Sequence, residues 1–157
     1  MPEIDTTHFG RISYETDSTF YFPGGLPGFE QVRSFLPLSF PDSQPLIFLQ
    51  SLDDPGLCFI TLPVLAADPG YRLEVSPEDL AAIGMPARVQ PKIGADVLCL
   101  AVLTLRKEGP TANLLAPIVV NLRNRRGVQA IAPGGGYSHQ HAVVPAQTAE
   151  EQPAACS

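Results

Sequence analysis

Asp53 and Asp54 stand side by side ahead of Pro55 and Gly56. Paired carboxylates could serve acid–base catalysis or hold a metal ion. Neighbouring side chains in a turn diverge, however, and no His or Cys lies close in sequence. Asp-Asp-Pro-Gly reads as a turn in which an aspartate bonds local backbone N–H groups. His139 and His141 would share a side of an extended backbone, as metal ligands can. The third histidine, His8, lies at the other end of the chain, and no acidic residue follows at a useful spacing. The pair reads as surface histidines. Gly134-Gly135-Gly136 lacks the Lys-Ser or Lys-Thr and the helix that complete a phosphate loop. No serine sits in a nucleophile elbow, and Cys58, Cys99 and Cys156 have no evident base partner. Arg123, Arg125 and Arg126 crowd one turn without an aromatic platform for nucleic acid, and read as a solvated hairpin tip. The expectation is no catalytic residue, no metal and no cofactor.

The elements that position these residues are short. Seventeen prolines and 13 glycines are spread through 157 residues, which cuts apolar runs to strand length and disfavours long helices. Strands are expected over 8–14, 19–22, 34–40, 46–52, 57–62, 96–106, 112–122 and 128–132. Residues 96–106 are apolar on both faces: Leu98, Leu100 and Val102, with Thr104, line one, and Val97, Cys99, Ala101, Leu103 and Leu105 the other. Such a strand is covered on both sides or lies at an interface. One helix of about two turns is expected after Ser76, a good N-cap. Pro77 suits its first position, Glu78 and Asp79 suit its positive end, and Gly84 and Pro86 stop it. Pro23-Gly24-Gly25-Leu26-Pro27-Gly28 demands a sharply shaped loop, which Leu26 and Phe29 would anchor to the core. The pattern predicts an all-β fold, a small antiparallel barrel-like domain with one short helix over residues 1–143. Residues 144–157 lack periodicity and are expected to be a disordered tail.

Charge is uneven. Residues 1–80 carry 12 acidic and 3 basic side chains, net −9; residues 81–157 carry 4 acidic and 7 basic, net +3. The acidic half should repel nucleic acid and attract basic partners if its carboxylates share a face; spread out, they form a solvated surface. The N-terminus has no signal-peptide pattern, and the longest apolar run, residues 97–105, falls far short of a membrane span. A cytoplasmic monomer is the expectation.

Three stretches together carry a resemblance. Phe22-Pro23-Gly24-Gly25-Leu26-Pro27-Gly28-Phe29-Glu30 is similar to the Phe-Pro-x-Gly-(Ile/Leu)-x-Gly-(Phe/Leu)-Glu loop of the flagellar assembly factor FliW family. Residues 49–59, with Gln50-Ser51 and Asp53-Asp54-Pro55, resemble its Gln-Ser-x-Asp-Asp-Pro hairpin. Asn113-Leu114-Leu115-Ala116-Pro117-Ile118-Val119-Val120-Asn121, with Gly127-Val128-Gln129 after it, resembles its Asn-Leu-x-Ala-Pro-(Ile/Leu)-Val-x-Asn block and sequel. The order and spacing also match, over about residues 5–143. Two places depart. Leu62-Pro63-Val64 stands where the family often has Asn-Pro-Phe. Residues 137–142 keep Tyr137 and a histidine but lack the family's basic residue and proline.

The resemblance implies a β-barrel-like fold without enzymatic activity and two alternative protein partners. One is flagellin before export. The other is CsrA, a basic RNA-binding dimer that represses flagellin translation; the factor, once free, would bind it and relieve the repression. From the matching motifs, Phe29, Glu30, Asp53, Asp54, Pro117 and Asn121 are the expected partner-binding residues. The competing readings are a metal-dependent barrel enzyme and a small-molecule- or RNA-binding barrel.

Overall fold

A computed structural model describes residues 1–131 and 136–143. The expected tail, Cys156 and most of the Gly134–136 run lie outside the described residues.

The chain begins with a hairpin of β1 (Glu3–Thr6) and β2 (Gly10–Ser13), in which Arg11 bonds Asp5 at 2.8 Å. The expected strand over 8–14 is thus the second arm of a hairpin, turned by the Thr6 hydroxyl, which accepts from the Phe9 N–H at 2.9 Å. Next come β3 (Phe20–Tyr21), β4 (Ser34–Leu38), β5 (Ile47–Ser51) and β6 (Cys58–Pro63). Two helices follow where one was expected. The four-residue α1 (Val64–Ala67) continues directly from Pro63, with the buried Val64 fixing it to the sheet. The second, α2 (Pro77–Ala82), begins as its sequence dictates: the Ser76 hydroxyl accepts from the Asp79 N–H at 3.2 Å. Its Leu80 and the following Ile83 are fully buried. The chain ends with β7 (Val97–Arg106), β8 (Gly109–Ala112), β9 (Ile118–Asn121), β10 (Gly127–Gln129) and β11 (His141–Ala142).

Residues 112–122 are not one strand. The Asn113 Oδ1 accepts from the N–H groups of Leu115 and Ala116 at 3.1 and 3.0 Å, an Asx turn that lifts the chain out of the ladder. Hence β8 pairs with residues 103–106 of β7, and β9 with residues 97–100.

The main sheet runs β10-β9-β7-β6-β5-β4-β3, antiparallel throughout, with β8 and β11 attached beyond β7. It curls until its ends meet: the Tyr21 N–H donates to the Arg125 carbonyl at 3.0 Å, and Tyr21 bridges Arg126 in parallel. That one bridge leaves a half-barrel rather than a closed one. A Cβ on Gly127 would stand 2.5 Å from the ring of the fully buried Phe22, so glycine is required at the junction.

The two-sided apolarity of β7 follows from this architecture. Leu98, Leu100 and Val102 face the barrel interior with Phe20, Phe22, Leu26, Phe35, Leu49 and Ile118. Val97, Cys99 and Ala101 face outward beneath Val64, Tyr71, Leu80 and Ile83. A third cluster lies under the N-terminal hairpin, where Phe9 stacks on Phe40 at 5.5 Å and meets Phe48 at a tilt at 5.4 Å.

Candidate docking groove

The loop after β3 is held by its own backbone. The Gly25 N–H donates to the Phe22 carbonyl at 2.9 Å, and the Phe29 N–H to the Leu26 carbonyl at 2.7 Å. Gly25 adopts φ +69°, and a Cβ there would lie 2.6 Å from the Glu30 backbone, so the chain doubles back with no room for a side chain. The Glu30 carboxylate accepts from the Gly28 N–H at 3.0 Å; this bond, with its own N–H, holds the Glu30 carboxyl below the usual range. Leu26 is buried, as its anchoring role requires. Phe29 is not: it is 39% exposed and stands edge-on to Phe59, the ring centroids 5.3 Å apart.

These side chains open a shallow groove of about 190 Å³ at the mouth of the half-barrel. Leu26, Pro27 and Phe29 form one wall, Phe59 and Val102 the floor, and Thr104, Arg106, Asn113, Gln129 and His139 the polar rim. Residues from all three sequence motifs meet there: Leu26 and Phe29 from the first, Phe59 from the second, Asn113 and Gln129 from the third. Val102, Thr104, Arg106 and His139 were not singled out as groove residues from sequence. The available signal was the period of two along β7, whose inward face turns from Leu98 and Leu100 to Thr104 and Arg106.

The other expected binding residues divide. Asp53 and Asp54 are exposed at the β5–β6 turn. Ser51, fully buried, accepts both their N–H groups on Oγ at 3.0 and 2.8 Å, and Asp54 Oδ1 accepts from Gly56 N–H at 3.0 Å. Buried Gln50 donates from Nε2 to the Ser51 and Pro55 carbonyls at 3.0 and 3.2 Å. The Pro55 carbonyl also takes the Thr7 N–H at 3.0 Å, docking the N-terminal hairpin on this turn. Both aspartates thus present their carboxylates on a stiff support. Pro117 and Asn121 are buried and present no side chain to a partner. Asn121 donates from Nδ2 to the Ile83 carbonyl at 2.7 Å and accepts from Arg123 N–H at 2.9 Å, tying the end of α2 to β9.

His139 stands on the groove rim, while His141 lies in β11 opposite Ala112. Among the described residues no group of three His, Cys, Asp or Glu side chains is placed to hold a metal ion, and no helix is long and apolar enough to cross a membrane. Burial pushes the Cys99 thiol up to about 12, which leaves it protonated and without nucleophilic character near neutral pH.

Fold and groove define a class: a curled antiparallel half-barrel with two short helices and a side-chain-sized groove lined half by apolar and half by polar side chains. Within that class the chain belongs to the FliW family. A family model described as FliW protein matches residues 3–143. The flagellar assembly factor FliW of Syntrophomonas wolfei is 32% identical over 152 residues, covering 96% of this chain and 94% of that protein. That of Pseudothermotoga lettingae is 37% identical over 150 residues, covering 89% and 87%. A solved crystal structure of the flagellar assembly factor FliW superposes with a TM-score of 0.78 at 30% identity, covering 93% of this chain and 99% of that one.

Proposed function

We propose that this chain is a non-catalytic flagellar assembly factor that works in the cytoplasm by binding proteins: flagellin through the groove and, when free of it, CsrA through its acidic surface. The observation that carries the reading is the convergence of three separate sequence motifs on one groove. Binding an amphipathic segment requires an apolar anchor site with a polar rim, and the groove offers both. At about 190 Å³ it is smaller than the roughly 300–1,000 Å³ of small-molecule sites, so it suits one or two side chains better than a cofactor or drug-sized ligand. The names of the relatives support the assembly role. An acidic surface suits a basic RNA-binding partner, since docking beside its RNA site would also repel phosphate.

The test is size-exclusion chromatography and calorimetry of the chain with flagellin, and separately with CsrA, from the same organism. Phe29→Ala should weaken flagellin about tenfold or more, as loss of an aromatic anchor does, with an unchanged circular dichroism spectrum. Lysines at Asp53 and Asp54 should weaken CsrA. Mutual exclusion of the two partners would support the switch. If neither partner binds at low or moderate salt, the function is withdrawn while the fold stands.

A further inference from the structure

We infer that the groove selects a segment carrying a carboxylate beside its apolar anchor, and that Arg106 is the residue that reads the acid. This rests on the groove being the docking site proposed above.

The chain has 16 acidic residues, yet none lines the groove; its one arginine is Arg106. Arg106 lies on the inward face of β7, in step with Val102 and Thr104, so one strand face runs from apolar floor to cation. Its cross-strand neighbour on β8 is Gly109, which has no side chain to meet it. The ion pairs among the described residues are those of Arg11 with Glu3 and Asp5, and Arg106 has none. The rim amides are partly engaged with the fold: Asn113 Oδ1 with the Leu115 and Ala116 N–H groups, and Gln129 Nε2 with the Ala116 carbonyl at 2.9 Å. The Arg106 guanidinium keeps its donors for an incoming group.

A planar guanidinium at the edge of an apolar floor matches a carboxylate in charge and in shape. The chain as a whole, net −6, repels an acidic segment, so recognition is confined to this rim. The same arginine repels a basic protein, which the acidic half of the chain attracts instead. Arg106 would therefore sort the two partner types, acidic amphipathic segment to the groove and basic partner elsewhere.

The experiment titrates the full chain with flagellin and with CsrA from the same organism, comparing the unaltered protein with Arg106→Glu, Arg106→Lys and Phe29→Ala. Arg106→Glu should weaken flagellin about tenfold or more, Arg106→Lys less, and neither should weaken CsrA. Lysine substitution of the contacting acidic residue of flagellin should restore binding to Arg106→Glu. If Arg106→Glu binds flagellin within about twofold of the unaltered chain while Phe29→Ala binds weakly, the groove reading stands and the acid-selective reading is overturned. If Phe29→Ala also binds unchanged, the groove itself is the wrong site. Should Arg106→Glu fail to fold, Arg106→Gln carries the same comparison.

Discussion

Replacing Asn121 with alanine separates a structural role from a partner-binding one. The change removes two hydrogen bonds, from Nδ2 to the Ile83 carbonyl at 2.7 Å and to Oδ1 from the Arg123 N–H at 2.9 Å. Each contributes about 1 kcal/mol net. The Ile83 carbonyl keeps one donor, Asn124 Nδ2 at 3.1 Å, and the Arg123 N–H belongs to an exposed residue that water can reach. Those two facts limit the penalty for unsatisfied groups. The void left at a site only 3% exposed adds to it. The expected loss is about 2–3 kcal/mol, roughly a 5–10 °C fall in Tm for a chain of this size. Urea denaturation followed by far-ultraviolet circular dichroism measures the stability, and calorimetric titration of the folded variant with flagellin measures the affinity. Stability should fall while affinity stays within about twofold. A loss below about 0.5 kcal/mol together with tenfold weaker binding would overturn the structural role and return Asn121 to the interface.

Three other outcomes are expected. Gly127→Ala should cost about 1–3 kcal/mol, because its Cβ would press within 2.5 Å of the buried Phe22 ring; an unchanged denaturation midpoint would mean that the barrel junction is looser than described. Ser51→Ala should leave two turn amides without their acceptor and cost about 1–2 kcal/mol, read by denaturation together with faster proteolysis at the 53–56 turn. Stability should also fall in alkali. The Cys99 thiol is raised to about 12 in the folded chain, so its contribution is complete below the unfolded thiol's value of about 8.5 and is lost as pH climbs towards 12. Burial raises the Tyr71 hydroxyl in the same direction. Cys99→Val should shallow the decline in denaturation midpoint between pH 8 and 10.5, and an identical decline would exclude the thiol as a cause.

What is legible in the amino-acid sequence is set by local rules. The capped start of α2 at Ser76-Pro77, the turn at residues 53–56 and the covered faces of β7 each depend on chemistry within a few residues. The expectations that failed were those where tertiary contact or a side-chain turn intervened. Asn113 broke a continuous apolar stretch by bonding two amides of its own chain, and α1 formed because Val64 had a place in the core. Phe29 was expected to anchor inward and stands at the surface instead, because Leu26 takes the buried position and Phe59 meets Phe29 edge-on.

The candidate site shows the same division. The strand pattern, the acidic first half and three motifs matching one family are legible along the chain, since composition, period and turn chemistry are local. Folding alone brings Phe29, Phe59, Arg106 and Gln129 to one groove, while Pro117 and Asn121, from the same motif as Gln129, are buried. Motif positions are held by folding and by binding alike, and a linear sequence carries no measure of which side chain reaches solvent. Curling the sheet until Tyr21 meets Arg125 and Arg126 is what separates the two.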